Sequence, residues 1–175
     1  MMTLAKTILM TQIGYENLLA RITEKEKEYD QVRDHRQVAF ELSGDGWHDN
    51  PEFNRMQQLE ANLNHTLKTL NDRLDVMKFI DIHDGMRNVQ QVEIGSIVKL
   101  RRYDLADDSE IEEIWEIRGF DETNIKLKHL AYNAPLAEKI MHLHVADIAE
   151  EVQIGSRHFD IEVVALFKTR LIAGI

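Results

Sequence analysis

Two long stretches of this chain repeat apolar residues at alternating spacings of four and three, and eight residues, 43–50, part them. In the first, Leu18, Ile22, Tyr29, Val32 and Ala39 share a seam interrupted by Lys25 and Arg36. In the second, Met56, Leu63, Leu67, Leu70, Leu74 and Met77 do so, with Glu60 as the polar intruder and Leu59 beside it. A 3-4 repeat places its apolar residues on one stripe of an α-helix, and the stripe must be buried against another element. A connection this short joins antiparallel neighbours. The sequence therefore predicts an intramolecular helical hairpin and a monomer, each helix about 30 residues and about 45 Å long.

The ends of the predicted helices carry their own signals. Thr11 can accept a backbone N–H at the start of the first, which ends near Leu42, ahead of Gly44 and Gly46, whose conformational freedom suits a reversal. Asn50 can cap the second, and Pro51 at its first position gives up no hydrogen bond. Between them runs Ser-Gly-Asp-Gly-Trp-His-Asp-Asn-Pro-Glu-Phe, residues 43–53, which holds the carboxylates of Asp45 and Asp49 at the end of a stalk. Trp47 at that apex has little of its own chain to pack on, so a partner contact is expected of it. Asp45-Gly46 is also a common turn dipeptide, and an acid in a first helical turn suits the helix dipole, so turn chemistry accounts for the same residues. His48 is an imidazole, which favours softer metals than Mg²⁺, and reads as a surface residue.

The helical period stops at His83-Asp84-Gly85, and from Ile94 the pattern alternates. Val98, Leu100 and Arg102 oppose Ile97, Lys99 and Arg101; Trp115 and Ile117 alternate with Glu116 and Arg118; Phe159, Ile161 and Val163 alternate with Asp160 and Glu162 before an apolar run to Phe167. These are strands, the last of them interior. Pro135 opens a short helix, and the acidic stretch Asp104 to Glu116 reads as a solvated hairpin flank. The fold class is α+β: a hairpin domain over 1–84, with its tip at 43–52, and a β-rich domain over 85–175.

Composition excludes several functions. With 21 basic and 31 acidic residues the formal charge is −10, which argues against free duplex DNA as a partner. There is no cysteine, so disulfides, thiolate metal sites and cysteine nucleophiles are out, and a reducing, cytoplasmic setting is expected. No run of residues is long and apolar enough for a membrane span. His142-Leu143-His144 lacks the further ligands that a structural metal site needs.

Three stretches, in order, carry a resemblance. Met10-Thr11-Gln12-Ile13-Gly14-Tyr15-Glu16-Asn17-Leu18, the acidic tip and Asn133-Ala134-Pro135-Leu136-Ala137 resemble the Gre transcript-cleavage factor family, over nearly the whole chain. That family opens close to Met-Thr-x-x-Gly-Tyr-x-x-Leu, has Gly-Asp-x-x-Glu-Asn-x-Glu-Tyr at its tip, and ends in an FKBP-like domain with a Ser-Pro-x-Ala-type turn. The resemblance implies a partner, bacterial RNA polymerase, whose secondary channel the coiled coil enters while the FKBP-like domain docks at its rim through Pro135, Leu136 and Asp147. It implies that Asp45 and Asp49 help hold a Mg²⁺ shared with the polymerase, which hydrolyses backtracked RNA. Trp47, His48, Asn50 and Glu52 would then contact the polymerase or the RNA 3′ end, and the chain itself would be no enzyme. A carboxylate pair on a stalk is too sparse to retain Mg²⁺ alone, and a two-metal site stabilises both attacking and leaving oxygens.

The tip departs from the family in one respect: Gly46-Trp47-His48 puts three residues between the acids where the family has two. A second reading keeps the scaffold and drops the chemistry, making the chain a non-cleaving regulator or inhibitor that occupies the channel. A third makes it a coiled-coil oligomerisation module with an unrelated β domain.

Overall fold

A computed structural model describes residues 7–175, and of Asp45 the main chain only. The chain forms two compact units, one of Tyr15–Lys78 and one that joins Leu9–Gly14 to Phe79–Ile175.

The first unit is the hairpin. Helix α1 runs Gln12–Ser43 and α2 runs Pro51–Val76. Leu18, Ile22, Val32 and Ala39 are buried on α1, and Met56, Leu63 and Leu70 on α2, so the two seams face inward. Val32, Met56 and Leu63 make one apolar cluster, with Tyr29 and Leu59 against it. The polar intruders of the two seams meet each other: Arg36 Nη1 lies 3.0 Å from Glu60 Oε2, and the Tyr29 hydroxyl lies 3.3 Å from Glu60 Oε1. The Arg36 break in one stripe thus answers the Glu60 break in the other, a device that fixes register between packed helices, while Lys25 pairs with Glu28 on its own helix. The helical seam ends one residue early, because Met77 turns to extended backbone and opens a short strand.

Short strands β1 (Ile8–Met10) and β2 (Met77–Phe79) fall where the chain passes from one unit to the other, and the body of the second unit is a five-stranded sheet. Its strands are β3 (Ile97–Asp104), β4 (Glu110–Arg118), β5 (His129–Ala131), β6 (Ile148–Ile154) and β7 (Arg157–Phe167), in the order β5-β4-β3-β7-β6. All neighbours are antiparallel except β4 and β5. Helix α3 (Pro135–Ile140) covers the sheet with Leu136, Ala137 and Ile140, over a core of Val98, Leu100, Ile117, Ile161 and Val163. A last turn, α4 (Arg170–Ala173), follows β7.

The acidic stretch is only partly a solvated flank. Across the β3–β4 pair Lys99 reaches Glu112 at 2.6 Å, Arg101 reaches Glu112 at 2.9 Å and Arg102 reaches Glu113 at 2.9 Å, a ladder of opposite charges set by the register. Its two ends are buried. Asp104 accepts from Arg157 at 2.6 Å, and Glu116 is 1% exposed, ringed by Arg118 at 2.9 Å, Arg87 at 3.3 Å and Arg170. Burial pushes the Glu116 carboxyl up, but the Arg118 hydrogen bond and the three guanidinium charges hold it below the ordinary range.

Candidate functional site at the hairpin tip

The tip is an ordered turn. After Ser43 the chain tightens into a 3-10 helix over Gly44–Asp49, entered through Gly44 at a φ of 53° that only glycine adopts without strain. Gly46 does not use that freedom, so one glycine and not two makes the reversal.

Asn50 holds the turn to both helices. Its side-chain oxygen accepts from the Glu52 N–H at 2.9 Å and the Phe53 N–H at 3.4 Å, which caps α2. Its amide nitrogen donates to the Ala39 carbonyl at 3.2 Å and to the Ser43 hydroxyl, so it satisfies an acceptor in the last turn of α1. The side-chain amide of Asn50 thus makes four hydrogen bonds within the chain.

The expectation that Trp47 has little of its own chain to pack on does not hold. The 3-10 turn curls the indole back onto the helices: its ring centroid lies 5.8 Å from Phe40 and 5.0 Å, edge to face, from Phe53, with His48 stacked on it at 3.4 Å. Trp47 is half-buried in this cluster and has its own chain to pack on. Glu52 is bound in two places by Arg55 at 3.1 Å, and this hydrogen bond holds its carboxyl below the ordinary range. His48 is exposed.

Asp49 differs from all of these. It closes the 3-10 helix, is exposed, and makes no hydrogen bond or ion pair to any described side chain. The side chain of Asp45 lies outside the described residues, so its pairing with Asp49 stays an expectation from the sequence. Among the described residues no three His, Cys, Asp or Glu side chains cluster to hold a metal.

The residues expected to dock the β-rich unit divide. Pro135 is exposed at the first position of α3. Leu136 is buried in the core of its unit and is not available to a partner, because the residue after the helix-opening proline points onto the sheet. Asp147 accepts the His144 N–H at 2.7 Å, and that bond holds its carboxyl low; its first role is to close the turn before β6.

The chain is similar to several solved structures over most of its length. GreA factor homolog 1 (Gfh1) of Thermus thermophilus is 18% identical, with a TM-score of 0.42, over 93% of this chain and 99% of its own. Thermus aquaticus Gfh1 is 19% identical at a TM-score of 0.42, and the prokaryotic transcription elongation factor GreA/GreB of Nitrosomonas europaea is 16% identical at 0.35, covering 92% of this chain and 98% of its own. No protein-family profile and no curated protein matches the chain.

The sequence motif of the Gre resemblance that opens the chain has a structural role that reading residues one by one missed. Glu122 is the centre of it: Thr11 donates its N–H and its hydroxyl to the two carboxylate oxygens, each at 2.8 Å, and Gly14 in turn donates to the Thr11 hydroxyl at 3.3 Å, the cap read from the sequence. A Cβ on Gly14 would stand 2.2 Å from Glu122 Oε1, and one on Gly119 would stand 2.1 Å from it. Thr11, Gly14 and Gly119 form the socket of one carboxylate. The Gly after Thr in the motif was the available signal, since a glycine in a first helical turn marks a close approach.

Proposed function

We propose that this chain is a secondary-channel factor of bacterial RNA polymerase that stimulates cleavage of backtracked RNA, with Asp49 as the carboxylate delivered to the active centre. The observation that carries the reading is the contrast at the tip: Asn50, Glu52 and Trp47 are engaged within the chain, while Asp49 is exposed without a described partner at the end of a helical hairpin. The ordered motifs at residues 10–18, 43–53 and 133–137 support the same family.

The donor set fits a Mg²⁺ only in part. Asp49, with Asp45 four positions before it in the sequence, would help hold the ion, and the polymerase would supply the rest. When bound, such an ion activates water and offsets charge on the phosphate. The chain's own residues do three things. Gly44 and Asn50 fix the path of the turn, the Phe40–Trp47–Phe53 cluster keeps it folded, and Asp49 presents a negative charge free of internal neutralisation. The nuclease is the polymerase, and the chain completes its site. The β-rich unit binds at the channel rim, with Pro135 and Asp147 as the contacts left to it.

A specific feature favours a second reading. The packed indole of Trp47 and the extra tip residue make a bulkier, closed end, as a plug requires, so the chain occupies the channel and inhibits. One experiment separates the two: stalled, backtracked bacterial polymerase carrying end-labelled RNA is incubated with and without the chain. Shortened RNA that then resumes extension supports cleavage; slowed extension with no shortening supports the plug; no effect and no binding removes both.

A further inference from the structure

Four exposed apolar side chains of the β-rich unit stand on two turns that one arginine ties together. Ile125 and Leu127, on the 3-10 turn before β5, are 71% and 51% exposed; Leu171 and Ile172, on α4, are 89% and 67% exposed. Arg170 ties the two turns together. Its guanidinium donates to the Leu127 carbonyl at 3.3 Å and to the buried Glu116 carboxylate, and its N–H lies 3.3 Å from Asp84. Scattered exposed apolar residues are ordinary, but a group assembled from positions more than 40 residues apart by a buried ion pair is a built surface.

Its rim is basic in an acidic chain. Residues 124–128 and 168–172 hold Lys126, Lys128, Lys168 and Arg170 and no acid, although the chain as a whole is at −10. Asp84 at the edge is engaged by Arg87 at 3.1 Å. The hairpin tip has the opposite character. Residues 38–55 hold four acids, Glu41, Asp45, Asp49 and Glu52, against one Arg, and on the last turns of α1 Leu42 is 83% exposed, Val38 52% and Phe40 41%.

From this complementarity of charge and of apolar anchors we infer that the tip of one copy seats on the α4 patch of a second copy. Each copy carries one of each half, so the contact is heterologous and can propagate. The two halves are small, below the area of a standard interface, and the affinity they support is weak, on the order of 10–100 μM. The apolar anchors supply adhesion and the charges supply orientation and salt dependence. A seated tip is withheld from any other partner. This gives the protein a reserve state that competes with the polymerase entry proposed above, but the self-contact stands or falls without that entry.

Sedimentation velocity of the full chain, from micromolar to submillimolar concentration and at low and high salt, tests it. The mean mass should rise with concentration and fall back on adding salt. Leu42→Ser should abolish the rise, and so should Leu171→Ser with Ile172→Ser, since all three side chains are exposed and their loss leaves the fold intact by circular dichroism. An equimolar mixture of the tip variant and the patch variant should stop at one-to-one pairs, because only one sound tip and one sound patch remain. A single-chain mass at every concentration overturns the inference. Self-association that both variants retain, or a mixture that stays unassociated while wild type associates, overturns it as well. Polymerase binding measured on the same samples reports separately on the functional reading, since either result leaves the mass data unchanged.

Discussion

Glu116 meets three guanidinium groups inside the β-rich unit, and removing its charge would leave those cations facing one another out of water. Breaking a buried pair from one side costs about 3–5 kcal/mol, so Glu116→Gln should lower the unfolding free energy measured by urea titration by that much; a change below about 1 kcal/mol would contradict the network. Acid should act on the same cluster in two stages. His129 is held below its ordinary 6.5 by burial first and then by Arg118, so it is neutral in the fold; its contribution is full above 6.5 and is lost as pH falls from there toward its lowered value. Glu116 is held below 4.5, so its contribution is full above 4.5 and is lost as pH falls through its lowered value. A melting temperature followed against pH should therefore decline first near 6.5, and His129→Asn should remove that first step. At the Thr11–Glu122 socket, Gly14→Ala and Gly119→Ala each drive a methyl into the carboxylate and should destabilise by about 1–3 kcal/mol, read by the same melts. The Glu116 network was not legible in the sequence. Alternation assigns Glu116 to solvent, and the neighbours that make it a buried anion come from residues 87, 118 and 170, which no local pattern connects.

At the scale of elements the hairpin was readable because one physical period governs it. The seams, the Thr11 and Asn50 caps and the proline at the first turn of α2 all follow from local rules, and the structure has them. What the pattern could not say was how deeply each seam position is buried. Leu70 is 2% exposed and Leu67 only half-buried, so Leu70→Ala should cost about 3 kcal/mol and Leu67→Ala roughly half of that, measured by denaturant titration. Equal losses would mean that the two leucines pack alike. The Arg36–Glu60 pair is a different kind of contact: Arg36→Met with Glu60→Leu should leave stability unchanged or raise it, while either change alone lowers it. The tip was legible in composition and not in shape. Gly-Asp-Gly announces a reversal, but whether the indole points out or folds back depends on six residues of 3-10 helix that bring Phe40 and Phe53 within reach.

For the whole molecule, order along the chain gave the architecture, a helical hairpin followed by a β sheet with one covering helix, while the surfaces came only from three dimensions. The proline turn at 133–137 reads as a docking loop, yet Leu136 belongs to the core, while Ile125, Leu127, Leu171 and Ile172 are among the exposed apolar residues of that unit. The functional claim rests on Asp49. Its most direct measurement is the rate of RNA shortening in backtracked bacterial polymerase with Asp49→Asn set against the unaltered chain, at concentrations giving equal occupancy of the enzyme. Removal of a metal-binding charge from a site of this kind costs several kcal/mol of transition-state stabilisation, so cleavage should slow about a hundredfold or more while binding stays within a few-fold. Equal rates for the two proteins would contradict the account, as would an unaltered chain that never cleaves and gains cleavage only when Gly46 is deleted.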